Sequence, residues 1–262
     1  MKTSRPRIFL ATALLAGAAG CASAPPPGQG TGQTGGPGVD GSTTFCGDPN
    51  AAIDPTAVID DMESPAPPTV LNPNGGGILW AGGDPASKAT GATIVPDGPV
   101  TAEAIPGGRC GSHYAAHVTG YGFNVYAVMT ATMGWGPEPS GIVGLLPYDA
   151  HIREGLTFWA RIGDTSTDQV RLNVTDKYSN DAGGICDKTV PNGDTACYDH
   201  FGAALTQLGT DWKQYRIPFG GLSQLHFGIP RPELDTSSIY SVDFSFPTGR
   251  IFDFWVDDIS FY

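Results

Sequence analysis

Three groups of residues in this chain have types and spacings that carry chemistry. The first is a pair of acidic runs, Asp60-Asp61-Met62-Glu63 and Val256-Asp257-Asp258-Ile259, the second embedded in the apolar stretch Phe252 to Val256. Calcium takes about six to eight oxygen ligands, mixing carboxylates with backbone carbonyls. If the two runs lie on paired strands, their like charges meet and a bound cation relieves the repulsion. The plainer alternative is two pairs of solvated turn carboxylates.

The second group lies between 170 and 200. Arg171 and Asn173 lead into Asp176 and Tyr178, and a long loop returns through Tyr198-Asp199-His200. Rings that stack on the apolar face of a pyranose, with amide, carboxylate and guanidinium groups for its hydroxyls, make a sugar site. The bland reading pairs Arg171 with a neighbouring acid and buries His200 as a hydrogen-bonding residue. Trp80, in a Gly-rich stretch, is an alternative stacking platform or a packing residue.

The third group is the cysteines, five in all. With Cys21 set aside, Cys46, Cys110, Cys186 and Cys197 form an even set, as in a disulfide framework of an exported protein. Cys186 and Cys197 bracket the loop DKTVPNGDTA and make a local bridge, which leaves Cys46 to pair with Cys110. Zinc is the rival, but the sites are scattered and no C-x-x-C spacing exists. Gly-x-Ser-x-Gly, His-Glu-x-x-His and Gly-x-x-x-x-Gly-Lys are absent. Glycoside hydrolysis needs two placed carboxylates, and a pair of Asp residues remains available for that.

The elements that position these groups read as short strands. Leu156, Phe158, Ala160 and Ile162 alternate with polar or bulky outward residues, as do Val170, Leu172 and Val174, then Tyr215, Ile217 and Phe219, then Tyr240, Val242, Phe244 and Phe246. Further strands are expected at 77–81, 100–105, 112–119, 125–132 and 251–261, separated by turns rich in Gly, Pro, Asp and Asn. Gly 37 and Pro 23 against only 15% charged residues suit turns and strands better than long helices. The expected architecture is all-β, a two-sheet antiparallel β-sandwich of the jelly-roll type, over residues 45–262.

The first residues read as an address. Lys2, Arg5 and Arg7 precede a short apolar stretch from Ile8 to Ala19, too short to span a bilayer comfortably. Gly17-Ala18-Ala19-Gly20-Cys21 resembles a bacterial lipobox, which implies a signal peptide over 1–20 and lipidation of Cys21. The rival is an ordinary leader cut after Ala24. Residues 21–44 are nearly free of charge and bulky apolar groups and form a flexible linker, spanning roughly 25 Å root-mean-square. With 14 Lys and Arg against 26 Asp and Glu, the net charge of −12 excludes nucleic acid and anionic lipid surfaces as natural partners.

Four segments in order carry a family resemblance: Ile59-Asp60-Asp61-Met62-Glu63, Gly111 to Gly120 (GSHYAAHVTG), Leu156 to Arg161 (LTFWAR) and Phe254-Trp255-Val256-Asp257-Asp258-Ile259. Together they resemble the galactose-binding-like carbohydrate-binding jelly rolls, near the family-11 carbohydrate-binding modules, over roughly 57–262. The resemblance implies a structural calcium held by Glu63 and Asp257, with Asp61 beside them, and a concave cleft for glucans. The chain departs from the pattern in lacking an attached catalytic domain and in its cysteine-bearing loop 177–200. The expected function is noncatalytic binding of a neutral polysaccharide, such as a β-glucan, by a monomeric lipoprotein of the bacterial envelope. Its expected contacts are Arg171, Asn173, Asp176, Tyr178, Asp199, His200 and Trp80. The alternatives are a glycoside hydrolase and a structural module of the envelope.

Overall fold

The computed structural model describes residues 55–63, 77–109, 111–137 and 143–262. The expectations for the leader, the linker and Cys21, Cys46 and Cys110 lie outside the described residues. The chain begins with β1 (Val58–Asp60) and β2 (Leu79–Gly83), then β3 (Thr93–Val95), β4 (Gly98–Pro99) and β5 (Ala102–Arg109). It continues with β6 (Ser112–Tyr121), β7 (Ala127–Thr132), β8 (Trp135–Pro137), β9 (Val143–Leu145) and β10 (Gly155–Ile162). The last strands are β11 (Arg171–Asp176), β12 (Phe201–Ala204), β13 (Lys213–Pro218), β14 (Ile239–Phe246) and β15 (Phe252–Phe261).

These strands form two antiparallel sheets packed as a sandwich. One has seven strands in the order β13-β10-β15-β6-β3, with β1 paired to β15 and β5 to β6; the other has six in the order β12-β11-β14-β7-β2-β4. β8 and β9 form a separate hairpin. From β12 to β15 each successive strand changes sheet, as do β6 to β7 and β10 to β11, which is the jelly-roll winding. The period-2 pattern predicts this, because each strand has one apolar row that must be covered by the opposite sheet.

Leu156, Phe158, Ala160, Leu172, Val174, Val242 and Phe244 are all fully buried between the sheets. Phe158 of one sheet meets Phe244 of the other edge-on at 5.1 Å, and Phe246 stacks on Phe252 at 4.1 Å. Asp257 and Asp258 break the alternation of β15. The register against β10 slips there, and Asp258, at φ 52°, is the extra residue of a bulge that returns Ile259 to the core.

The outer side of the seven-stranded sheet is covered by its own side chains. His117 stacks on Trp255 with centroids 3.8 Å apart. Arg161 lies 4.8 Å from the Trp255 ring and 5.3 Å from that of Trp212, and Arg109 lies 5.7 Å from Trp212 and 4.7 Å from Trp159. The result is an alternating stack of rings and guanidinium groups, each contact contributing about 0.5–2 kcal/mol according to its desolvation. Glu103 and Asp253 hold the two nitrogens of His117, each at 2.9 Å.

Candidate functional site

The outer side of the six-stranded sheet is polar and carries no such stack; each face keeps unpartnered buried polar atoms among the described residues, Trp159 Nε1 and Arg161 Nε on the first and Asp243 Oδ1 on this one. Register places Gly202, Asn173, Asp243, Thr130, Trp80 and Pro99 in one row across all six strands. A second row holds Ala204, Arg171, Ser245, Val128 and Gly82, and a third holds Thr175, Ser241 and Thr132. With strands about 4.8 Å apart, Asn173 and Trp80 are separated by about 14 Å.

Asp243 sits at the middle of this face. It is only 8% exposed, and its Oδ1 has no hydrogen-bond partner among the described residues. Burial pushes its carboxyl pKa up to about 6, and the hydroxyls of Ser241 and Thr130 pull it part of the way back. A buried acceptor left open is costly unless something supplies the missing donor.

Trp80 forms one end. Its indole folds over Gly82: a Cβ on that glycine would lie 1.9 Å from Trp80 Cη2 and 2.4 Å from Cζ3. The ring therefore lies flat along the sheet and is partly exposed. Arg171 and Asn173 form the other end. Arg171 Nε donates to Asn173 Oδ1 at 2.9 Å and its Nη2 donates to the Ser223 carbonyl at 2.6 Å, while Asn173 Nδ2 donates to Ser245 Oγ at 2.8 Å. Gly202 leaves room for both side chains, since a Cβ there would lie 2.3 Å from Asn173 Oδ1.

The structure thus brings Arg171, Asn173 and Trp80 onto one face, but the remaining sugar-contact expectations fare differently. Asp176 is fully buried and accepts from the backbone N–H groups of Tyr178, Ser179 and Asp235. Asp199, also buried, accepts from the N–H groups of Leu225, Phe227 and Gly228. Both carboxylates are spent on the main chain and hold loops, so neither is presented to a ligand. Tyr178 carries the Arg231 guanidinium 3.9 Å from its ring centroid, which covers one of its faces. His200 is half-buried with Nδ1 3.0 Å from Ser179 Oγ, and burial lowers its pKa to about 4, so it is neutral at pH 7. Cys186 and Cys197 are bonded as expected; beside them Tyr198 is half-exposed and its N–H donates to the Ser179 carbonyl.

At the edge of the other sheet the two acidic runs do meet. β1 pairs with β15, and Ser112 Oγ lies 2.8 Å from Glu63 Oε1 and 2.7 Å from Asp257 Oδ2. Arg109 donates to Asp257 Oδ2 through Nε at 3.0 Å and Nη2 at 2.8 Å, and it also pairs with Asp258. Glu63 Oε1 accepts from the N–H groups of His113 and Tyr114, and Asp61 Oδ1 accepts from the Glu63 N–H. Asp61 Oδ1, Glu63 Oε1 and Asp257 Oδ2 therefore face N–H and O–H donors, while Asp60 Oδ2, buried beside them, has no partner among the described residues. Among the described residues no three His, Cys, Asp or Glu side chains converge for a metal. As placed, Asp61, Glu63 and Asp257 do not fit the ion; a guanidinium supplies the positive charge instead.

No protein-family profile matches the sequence, and no curated protein matches it. Solved structures do. The chain is similar to the family-11 carbohydrate-binding module of a cellulosomal cellulase of Clostridium thermocellum, with 16% identity, 78% of this chain and 92% of that chain covered, and a TM-score of 0.46. It is similar to a family-11 module of the same organism in complex with a β-1,3-1,4-mixed-linked tetrasaccharide, with 18% identity, coverages of 78% and 94%, and a TM-score of 0.47. A family-30 carbohydrate-binding module from a second cellulosomal cellulase of Clostridium thermocellum follows, with 14% identity, coverages of 71% and 92%, and a TM-score of 0.45. The solved structures to which this sandwich is similar thus include family-11 and family-30 carbohydrate-binding modules.

Proposed function

We propose that the outer face of the six-stranded sheet binds a neutral polysaccharide without cleaving it. The observation that carries this reading is the row of polar side chains Asn173, Asp243 and Thr130 in line with an indole that lies flat on the sheet and is partly exposed. The apolar face of a sugar ring covers the indole, and its hydroxyls meet the polar row beside it. A carboxylate at the centre disfavours uronic-acid or sulfated chains, so the ligand class is neutral. Binding without cleavage rests on charge count. Of the two carboxylates on the strands of this sheet, Asp176 is committed to the main chain, leaving Asp243 alone where hydrolysis needs two.

The reading includes an address. Cys21 is the lipidated residue, and the 21–44 linker holds the domain off a membrane surface of the bacterial envelope. A mature N-terminal peptide beginning after Ala24 in mass spectrometry would remove that part. The binding is tested by electrophoresis through gels containing mixed-linkage β-glucan, the probe chosen because one similar module is bound to such a tetrasaccharide. Retardation of the wild-type chain, lost in Trp80→Ala and Asp243→Ala with circular dichroism unchanged, is the expected result. Release of shorter glucan products would make it a hydrolase, and unretarded migration would sink the reading for this ligand.

A further inference from the structure

We infer that Gly82 is a positioning residue for the binding face: it holds the Trp80 indole flat, so that the face loses its platform when residue 82 gains a side chain. The inference rests on the proposed function and goes beyond it, because Gly82 itself offers nothing to a ligand. Trp80 and Gly82 are two apart on β2, so both point to the outer side of the sheet. Each is paired with a residue of β7, Trp80 with Thr130 and Gly82 with Val128. A Cβ on Gly82 would sit 1.9, 2.4 and 2.8 Å from Trp80 Cη2, Cζ3 and Cζ2, separations that no real contact tolerates. Three ring atoms within that range mean that the benzene half of the indole covers the glycine. The backbone there needs no glycine, for Gly82 is not in the left-handed region. Its absent side chain is explained by the ring above it, as glycines inside strands often mark a close approach.

A methyl group at 82 forces the indole to rotate away from the sheet. The ring then stands edge-up between β2 and the solvent, and its face no longer continues the row that runs through Thr130 to Asp243. Alanine is otherwise the better residue in a strand, so the substitution separates placement of the ring from stability of the fold.

The test is a double-mutant cycle in the full chain, with mixed-linkage β-glucan as the probe. Gly82→Ala and Trp80→Ala should each raise Kd about tenfold. The double variant should bind no worse than Trp80→Ala alone, because Gly82 acts only through that ring. An additive double variant, or Gly82→Ala binding like wild type, overturns the inference while leaving the proposed function standing. A second measurement needs no ligand. Gly82→Ala should change the near-ultraviolet circular dichroism in the indole bands, and adding it to Trp80→Ala should change those bands no further, with unchanged far-ultraviolet spectra throughout. An unchanged near-ultraviolet spectrum in Gly82→Ala overturns the inference even if no glycan is retarded.

Discussion

Asp243 holds the free domain below its best stability. Its pKa is raised from 3.8 to about 6 by burial, so the folded state binds its proton more tightly than the unfolded chain does. Its favourable contribution is complete below about pH 4 and is lost as the pH rises through about 6, a difference of about 3 kcal/mol. Asp243→Asn should therefore raise the melting temperature at pH 8, flatten the stability curve between pH 4 and 6.5, and weaken glycan binding. Thermal melts across that range check it; a variant that is less stable at pH 8 would mean the carboxylate is better solvated than its burial indicates. Asp243 was hard to single out in the sequence. In Ser241, Asp243 and Ser245 it reads as one more outward polar residue of β14, and only the register against β11 and β7 sets it between Asn173 and Thr130. Arg171, Asn173 and Trp80 were legible by type. That Asp176 and Asp199 bond main-chain N–H groups was not legible, because no sequence pattern shows which backbone N–H groups lack partners until the loops are in place.

At the scale of the elements, the alternation of β10, β11, β13 and β14 was legible because each has one uninterrupted apolar row facing a single core. The bulge at Asp258 was not, since two adjacent acids in an apolar strand give no sign of the slip of register that turns both carboxylates toward Arg109. The Arg109–Asp257 pair is buried, so deleting the guanidinium leaves a carboxylate without its counterion. Arg109→Met should cost about 3–5 kcal/mol, and EDTA should leave the wild-type melting temperature unchanged. A fall in EDTA would place a cation at the edge of β1 and β15 after all. The Cys186–Cys197 bridge acts on a different element. With a sequence separation of 11, replacing both cysteines by serine should cost somewhat under about 3 kcal/mol. Glucan retardation should persist at temperatures where that variant stays folded, because Asp199 and Ser179 also anchor the loop. Loss of retardation would show that the loop shapes the binding face.

For the molecule as a whole, the two outer faces divide the work. One carries the stack of rings and guanidinium groups around Trp255 and Trp212; the other carries the polar row of Asn173, Asp243 and Thr130 in line with the partly exposed Trp80 ring. The pairing of β1 with β15 has its own consequence for the wiring of the domain. Val58 lies opposite Ser260, so the entry and exit of the described sandwich stand about one strand spacing apart. A body whose two leads emerge side by side can be spliced into a host loop like a bead on a clip. It can equally be rewired, with a short linker from Tyr262 back to Pro55 and new ends opened at the exposed turn Thr248-Gly249. Such a permutant should melt cooperatively within a few degrees of the same segment in its natural order and bind the same glucan. The position of the ends is then a convenience of assembly, and the order of strands around the core is what the fold conserves.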